Sequence, residues 1–276
     1  MRTWFITGVS SGLGRAIAQA ALAAGDSVAG TLRKPEERAA FESLAPGRAH
    51  GVLLDVTDIP AIEPAIAHVE QQIGPISILV NNAGYGHEGL LEEATLEDLR
   101  HQFEVNFFGA AAVTKALLPR MRARRAGRIL NITSMGGLIT MPGLGLYHAS
   151  KFALEGLSES LGKELKGFGI HVTAVEPGSF RTEWSGRSMA RAPRAIADYD
   201  ALMNPIRERR QKGSGHQLGD PAKAAAAILK LVAAENPPAH LLLGSDARRL
   251  VLEKLDALRA EYDAWQALTL STDFEA

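Results

Sequence analysis

The sequence predicts a single α/β domain in which about seven parallel strands form a doubly wound sheet with helices on both faces. Short apolar runs alternate with helical patterns along the whole chain. Most of these runs are continuous, as in strands that are buried on both faces of a parallel sheet. Their alternation with helices implies right-handed crossovers. No shift in composition marks a second domain within residues 1–276.

Seven apolar runs are predicted to be the strands. In chain order they are Thr3–Thr7, Ser27–Thr31, Ala49–Leu54, Ile76–Val80, Arg128–Thr133, His171–Val175 and Ala239–Leu243. Helical patterns fill the intervals between them, as βαβ units require. The predicted helices are Gly12–Ala24, Pro35–Leu44, Ile59–Ile73, Leu96–Arg122, Tyr147–Lys166 and Pro221–Ala234.

Two segments depart from this alternation. Residues 178–219 form a long excursion, and such segments are usually lids or binding loops; the alternative is a solvated, partly mobile loop. A last helix over Asp246–Leu268 places apolar residues on one stripe. We expect this stripe to dock on the parent domain in preference to a second subunit.

Composition excludes several classes of function. The net charge of −1 gives no support for nucleic-acid binding or an anionic membrane surface. The chain has no cysteine, so disulfides, cysteine nucleophiles and thiolate metal sites are excluded, and we expect no metal site of any kind. No run is typical of a signal peptide or a membrane span. We expect a cytoplasmic protein that does not insert into a membrane.

A glycine-rich turn follows the first predicted strand and opens the first helix. Its spacing, from Gly8 through Gly12 to Gly14, is G-x-x-x-G-x-G, where the more usual dinucleotide fingerprint is G-x-G-x-x-G. Such a turn lets the backbone approach a pyrophosphate, which the helix N-terminus binds through free N–H groups. The alternative is a glycine-rich turn without a ligand. The predicted cofactor contacts here are Gly8, Ser10, Ser11, Gly12, Leu13 and Gly14.

A possible proton-transfer site follows the fifth predicted strand. Tyr147 and Lys151 are four positions apart and therefore share one helix face. A phenol titrates near pH ~10, and a nearby ammonium favours its ionised form. Ser134 could share a substrate oxygen with this phenol. The spacing alone is weak, because it also occurs on solvated helix faces.

These motifs together resemble the short-chain dehydrogenase/reductase family. The resemblance spans Thr3 to about Thr182, with the motifs in the family's order, and extends more loosely over Asp220–Leu243. The hydroxysteroid and retinol dehydrogenase-like branch is the most similar. The residues that carry the resemblance are Thr7–Gly14, Asn81-Asn82-Ala83-Gly84, Asn106, Ser134, Tyr147, Lys151 and Pro177-Gly178.

The resemblance implies a Rossmann-type oxidoreductase that interconverts an alcohol and a carbonyl. Tyr147 would act as the general acid or base, and Lys151 would lower its pKa and bind the cofactor ribose. Ser134 would bind the substrate oxygen, and Asn106 would hold a water that connects Lys151 to solvent. Individually, each of these residues could instead have only a structural role.

The resemblance also implies further cofactor contacts. Asp55 would meet the adenine ring, although a turn aspartate is a serious alternative. Thr182 would contact the nicotinamide carboxamide. The remaining implied contacts are Asn82, Ala83, Gly84, Tyr147, Lys151, Pro177 and Gly178.

The end of the second strand favours NADP(H) over NAD(H). NAD-preferring relatives tend to place an acid there. Leu32 occupies that position in this chain, and Arg33 follows it. A guanidinium can hold a 2′-phosphate through paired hydrogen bonds. The alternative is that Arg33 is a solvated loop residue.

The substrate is predicted only as an apolar alcohol or carbonyl compound. The segment between Ser134 and Tyr147 carries no charge. Met141, Leu144 and Trp184 are the candidate contacts beside Ser134 and Tyr147. A noncatalytic regulator that binds NADP(H) is the alternative function. Members of the family are commonly homodimers or homotetramers, and we expect the same here.

Overall fold

The computed structural model describes residues 1–186 and 188–274, which form an α/β fold. The strands are β1 (Thr3–Ile6), β2 (Ser27–Leu32), β3 (Ala49–Leu53), β4 (Ile78–Asn81), β5 (Gly86–Glu88), β6 (Gly127–Ile132), β7 (Ile170–Pro177), β8 (Met189–Arg191) and β9 (His240–Leu243). The α-helices are α1 (Gly12–Ala23), α2 (Glu36–Glu42), α3 (Ile59–Gln72), α4 (Leu96–Phe103), α5 (Gly109–Arg124), α6 (Gly145–Leu165), α7 (Asp200–Gly213), α8 (Pro221–Ala233), α9 (Ser245–Ala264) and α10 (Gln266–Leu270).

The main sheet has seven strands in the order β3-β2-β1-β4-β6-β7-β9, and all neighbours are parallel. This confirms the predicted doubly wound fold. The strand order reverses between β1 and β4. In open parallel sheets, ligands bind beyond the carboxyl ends of the strands at such a switch point. The glycine turn follows β1 and Asn82 follows β4, so the topology brings both to this crevice.

Two apolar layers bury the sheet. Trp4 and Phe5 are both fully buried, yet they belong to different layers because successive strand residues face opposite sides. Helices α1, α2 and α8 pack with the Trp4 face, while α3, α5 and α6 pack with the Phe5 face. Burial on both faces explains why the strands read as continuous apolar runs.

The predicted helix over Leu96–Arg122 is interrupted. The structure has α4, then a turn of π-helix over Glu104–Phe108, then α5. A capping box in which Thr95 and Asp98 bond reciprocally fixes the start of α4. Asn106 lies within the π-helical turn and is buried. Single π turns are often found at functional sites.

The excursion over residues 178–219 contains regular structure that the sequence did not indicate. β8 pairs in parallel with β5, and α7 follows. Both strands have three residues, too few for a recognisable pattern. Position 187 lies outside the described residues. Whether this segment acts as a lid stays a prediction.

The C-terminal helix was predicted to dock on its own domain, and beyond its first turns this is wrong. Ala247 and Val251 are buried, but Leu255, Tyr262 and Trp265 are more than half exposed. Beyond Val251, the described residues of the domain leave most of this apolar stripe uncovered. None of the described helices has the length and apolar character needed to cross a membrane.

Candidate active site

The glycine turn presents the N-terminus of α1 at the switch point. Gly8 and Gly12 have φ angles of +73° and +59°, which L-residues with a side chain rarely adopt. Ser11 occupies the N-cap position without a side-chain cap bond, and the first turn of α1 carries no acid. The N–H groups and positive dipole end of α1 therefore suit an anion such as a pyrophosphate.

Close packing around Gly14 fixes the shape of the turn. A Cβ at Gly14 would lie 2.2 Å from the Gly8 carbonyl oxygen and 2.3 Å from Asn82 Nδ2. Asn82 Nδ2 donates to the carbonyls of Thr7 and Gly8, each at 2.9 Å. The backbone N–H groups of Asn82 and Ala83 both donate to Thr7 Oγ1. The Asn82 side chain thus braces the turn against β4.

Asn106 and Lys151 flank the backbone at Gly84. A Cβ at Gly84 would lie 3.1 Å from Asn106 Oδ1 and 3.6 Å from Lys151 Nζ. Asn106 Oδ1 accepts from the Tyr85 N–H at 3.1 Å, and its Nδ2 donates to the Tyr85 carbonyl and to Ser150 Oγ. The π-helical turn therefore holds the Asn106 amide rigidly beside Lys151.

Tyr147 and Ser134 form the centre of the candidate site. Tyr147 is buried on α6, and its phenol lies near the Ser134 hydroxyl. Burial raises the pKa of Tyr147 to about 12, and the neighbouring Ser134 hydroxyl opposes that rise. The sequence predicted a pKa lowered by Lys151. In this structure desolvation dominates instead, so the phenol keeps its proton at neutral pH.

Lys151 lies one helical turn further along α6. Its Nζ donates to the Ile132 carbonyl at 2.8 Å and lies 5.9 Å from the centre of the Tyr147 ring. Burial lowers the pKa of Lys151 to about 8, and the charge of Glu155 partly opposes this. A lysine titrating near neutral pH can gain or lose a proton readily during turnover.

Trp184 and Thr182 bring the excursion over the candidate site. The Trp184 ring packs edge-on against Tyr147, with 5.1 Å between ring centres. Thr182 lies over the glycine turn, since a Cβ at Gly12 would be 3.5 Å from Thr182 Cβ. Thr182 Oγ1 also accepts from the Trp184 N–H at 3.3 Å. Residues predicted to meet cofactor and substrate thus share one short turn.

The two other predicted substrate contacts differ in exposure. Leu144 is 4% exposed and bridges to the backbone of Gly89, so in this structure it belongs to the packing around the site. Met141 is half-buried, and its N–H donates to His148 Nε2 at 2.9 Å. Met141 is therefore the more accessible of the two.

His148 is a positioning residue that the sequence reasoning passed over. Because Nε2 accepts from Met141, the ring proton lies on Nδ1 and is donated to the Gly136 carbonyl at 2.7 Å. Burial lowers the pKa of His148, which keeps the ring neutral. The ring thus ties the start of the segment between Ser134 and Tyr147 to its middle. No spacing in the sequence indicates this role for His148.

The remaining predicted cofactor contacts lie along the same crevice or at its edge. Arg33 is exposed directly after β2 and has no bond or ion pair within the described part of the chain. Asp55 Oδ1 accepts from the backbone and hydroxyl of Thr57, which is the turn role considered as its alternative. Gly178 follows Pro177 and β7, where a Cβ would lie 2.3 Å from Asp246 Oδ1.

Comparisons with known proteins identify the family. The family model described as short chain dehydrogenase matches residues 2–192. Oxidoreductase BOA17 of Botryotinia fuckeliana is 38% identical over 272 residues, covering 98% of this chain and 99% of that protein. The 3-ketodihydrosphingosine reductase of Bacteroides thetaiotaomicron is 39% identical over 243 residues, covering 87% of this chain and 86% of that protein.

Two further similarities agree with this result. The NADPH-dependent 3-dehydrocapnine reductase of Ornithobacterium rhinotracheale is 37% identical over 209 residues, covering 73% of this chain and 74% of that protein. The crystal structure of a short-chain dehydrogenase from Streptomyces avermitilis superposes with a TM-score of 0.92 at 43% identity, covering 99% of this chain and 100% of that one. The chain therefore belongs to the short-chain dehydrogenase/reductase family and is an oxidoreductase of the class that acts on CH–OH groups with NAD(P).

Proposed function

We propose that this protein is an NADP(H)-dependent oxidoreductase that interconverts a secondary alcohol and a carbonyl on an apolar small molecule. The observation that carries the proposal is the buried Tyr147 phenol, which lies near the Ser134 hydroxyl and one helical turn from Lys151. This arrangement places one proton donor and one hydrogen-bonding hydroxyl where they can share a single substrate oxygen. General acid–base catalysis requires that geometry first and a suitable pKa second.

In the proposed mechanism, Tyr147 protonates the carbonyl oxygen during reduction. Its raised pKa keeps the phenol protonated at neutral pH, which suits this direction. Ser134 orients the same oxygen, and Lys151 restores the proton to Tyr147. Asn106 would hold a water molecule that connects Lys151 to solvent. When bound, the nicotinamide would supply or accept the hydride.

The preference for NADP(H) is proposed from the end of β2. Arg33 is exposed and its guanidinium is available to pair with a 2′-phosphate. Leu32, at the position where NAD-preferring relatives tend to carry an acid, is buried. The similarity to an NADPH-dependent reductase supports the same choice. Cofactor contacts would come from the glycine turn, Asn82–Gly84, Pro177-Gly178 and Thr182.

An apolar ketone is the proposed substrate. The segment between Ser134 and Tyr147 carries no charge, and the Trp184 ring covers Tyr147 from the other side. Two similar proteins are named as reductases of 3-ketodihydrosphingosine and 3-dehydrocapnine. We therefore propose 3-oxo compounds with an apolar chain as the first substrates to test.

The test is NADPH oxidation with a panel of ketones, aldehydes, steroids, quinones and long-chain 3-oxo amines. Tyr147→Phe removes the proton donor and should lower kcat about 10²–10⁴-fold with little change in NADPH affinity. Tyr262→Phe is the matched control, because Tyr262 lies on the exposed C-terminal helix. Near-normal turnover by Tyr147→Phe would remove Tyr147 from the mechanism. Tight NADPH binding without turnover on any compound would favour a noncatalytic regulator.

A further inference from the structure

Three side chains with metal-binding chemistry meet where α6, β7 and β9 pack together. Glu155 follows Lys151 by one turn of α6, Glu176 lies near the end of β7, and His240 begins β9. One ligand atom from each lies within 4.8 Å of the other two. Glu155 and Glu176 are 21 positions apart, and Glu176 and His240 are 64 positions apart. No local sequence motif therefore indicates the cluster.

The two carboxylates are buried with few polar partners. Glu155 is 4% exposed and Glu176 is 1% exposed. Both oxygens of Glu155 and Oε2 of Glu176 have no hydrogen-bond partner in the part of the chain that the structure describes. The nearby Thr133 hydroxyl cannot serve Glu155, because its one proton is donated to the Val175 carbonyl at 2.8 Å. Buried ionised carboxylates are costly unless paired or bound to a metal.

One basic side chain serves both carboxylates. His240 Nδ1 lies 2.7 Å from Glu176 Oε1 and 3.6 Å from Glu155 Oε2. Within residues 1–186 and 188–274, no lysine or arginine nitrogen lies within 4.0 Å of either carboxylate. Lys151 Nζ is directed to the Ile132 carbonyl instead. A single imidazolium can offset only one of two negative charges, whereas a divalent cation offsets both.

The donor set and spacing suit a transition-metal cation. Two carboxylate oxygens and one imidazole nitrogen match zinc sites, with metal–ligand distances of about 2.0–2.2 Å. Ligand atoms at such distances in a tetrahedron are roughly 3.4 Å apart, and the 2.7 Å and 3.6 Å separations lie on either side of this value. The fourth position would be left to water.

The surroundings of His240 support ligation through Nδ1. Its side chain is 39% exposed, which gives a cation access from solvent. Its other nitrogen, Nε2, lies 3.6 Å from Glu159 Oε1. A carboxylate near the second nitrogen of a metal-bound histidine commonly orients the ring. Glu159 is one further turn along α6. A single helix therefore supplies one ligand, Glu155, and the carboxylate that orients the His240 ring.

We propose that Glu155, Glu176 and His240 form a binding site for one divalent transition-metal cation that ties α6, β7 and β9 together. This replaces the expectation from the sequence that the chain has no metal site. The site is independent of the proposed function, because none of its three residues is assigned a step in the reaction. Its effect would be on stability and on the position of the helix that carries Tyr147 and Lys151.

The test is a zinc titration of the full chain after treatment with a chelator. We expect about one zinc ion per chain by calorimetry and by metal analysis after gel filtration. We also expect zinc to raise Tm, because it binds the folded state. His240→Asn and Glu176→Gln should each weaken zinc binding at least about tenfold. The first changes a partly exposed residue and the second preserves shape, so circular dichroism can verify folding.

His171→Asn is the matched control. His171 also lies on β7 and is half-buried, but it belongs to no cluster of ligand atoms among the described residues. This variant should bind zinc as the unchanged protein does. The proposal is overturned if the folded chain does not bind a stoichiometric amount of zinc. That result would mean that protons alone neutralise the buried carboxylates. Equal binding by the unchanged chain, His240→Asn and Glu176→Gln would also overturn it.

Discussion

Burial changes the two ends of the Tyr147–Lys151 pair in opposite directions. The phenol, neutral when protonated, holds its proton more tightly, while the ammonium holds its proton less tightly. The two pKa values, about 12 and about 8, thus describe a protonated acid beside a lysine that exchanges protons near neutral pH. That state suits carbonyl reduction better than alcohol oxidation. A bound cation near the phenol would reverse part of this effect.

Arg33 carries the prediction of cofactor choice. Arg33→Ala removes the one proposed partner of the 2′-phosphate and should lower kcat/KM with NADPH about tenfold or more, with little effect on NADH. A paired guanidinium–phosphate contact of about 1.5–3 kcal/mol accounts for that factor. Arg38→Ala is the control, since Arg38 already pairs with Glu42 at 2.8 Å. An unchanged NADPH/NADH ratio would show that Arg33 is only a solvated residue.

Glu155 predicts how stability depends on pH. Burial raises its pKa from 4.5 to about 7. A raised carboxyl pKa means that the folded state binds the proton more tightly than the unfolded state does. The stability that protonated Glu155 contributes to the folded state is therefore fully present below about pH 4.5 and is lost as pH rises through about 7.

Glu155→Gln should flatten this dependence. Urea unfolding of the metal-free chain between about pH 5 and pH 8 measures it, and the variant should lose less free energy of unfolding than the unchanged chain over that range. Glu159→Gln is the matched control, because Glu159 is about half exposed on the same helix. Parallel curves for Glu155→Gln and the unchanged chain would contradict the assignment.

At the scale of elements, the sequence predicted those strands and helices whose pattern of apolar residues is determined by burial. The strands β1, β4 and β6 are buried on both faces, and continuous apolar runs reveal such strands directly. The π turn over Glu104–Phe108 was missed because the apolar residues of α4 and α5 read as one helix across it. The sequence did not predict β5 and β8, because a strand of three residues is too short to show a periodic pattern. Tyr147 and Gly12 were assigned from motifs, and both lie beside the short turn that carries Thr182 and Trp184.

Ion pairs attach the excursion over residues 178–219 to the body of the domain. Glu88 on β5 is buried, with Oε1 2.8 Å from Arg210 and Oε2 3.3 Å from Arg191. Arg210 also donates to the Pro142 carbonyl, close to the segment between Ser134 and Tyr147. Glu93 makes a second such contact, at 3.4 Å from Arg207. These charge pairs lie outside the reaction centre and connect the segment that carries Trp184 to the rest of the domain.

Glu88→Gln should loosen this segment. Loss of one buried carboxylate costs of order 1 kcal/mol or more when its partners are partly exposed, which is about fivefold in the open population. Limited trypsin digestion should cleave within residues 178–219 at least about fivefold faster. KM for substrate should rise more than kcat falls. Glu97→Gln removes an exposed pair with Arg100 and should change neither. Unchanged digestion of Glu88→Gln would mean that packing alone holds the segment.

At the scale of the whole molecule, the sheet and its two helical layers account for most of the chain, but not for the C-terminal helix. Beyond Val251, α9 continues into solvent, and Leu255, Tyr262 and the C-cap residue Trp265 are more than half exposed. Helices in water depend mainly on tertiary packing of their apolar face. Docking on the parent domain does not supply that packing. We therefore predict that the apolar stripe makes a contact between subunits.

Trp265→Glu should therefore lower the oligomeric state. We expect the unchanged chain to be a homodimer or homotetramer, and a charge in the centre of an apolar contact should disrupt it, because unpaired buried charges are costly. Multi-angle light scattering of the purified chain measures the change, while circular dichroism and NADPH binding should stay as before. Leu91→Glu is the control, since Leu91 is 76% exposed and lies apart from this helix in the chain. An unchanged mass for Trp265→Glu, or a monomeric unchanged chain, would show that α9 does not join two copies.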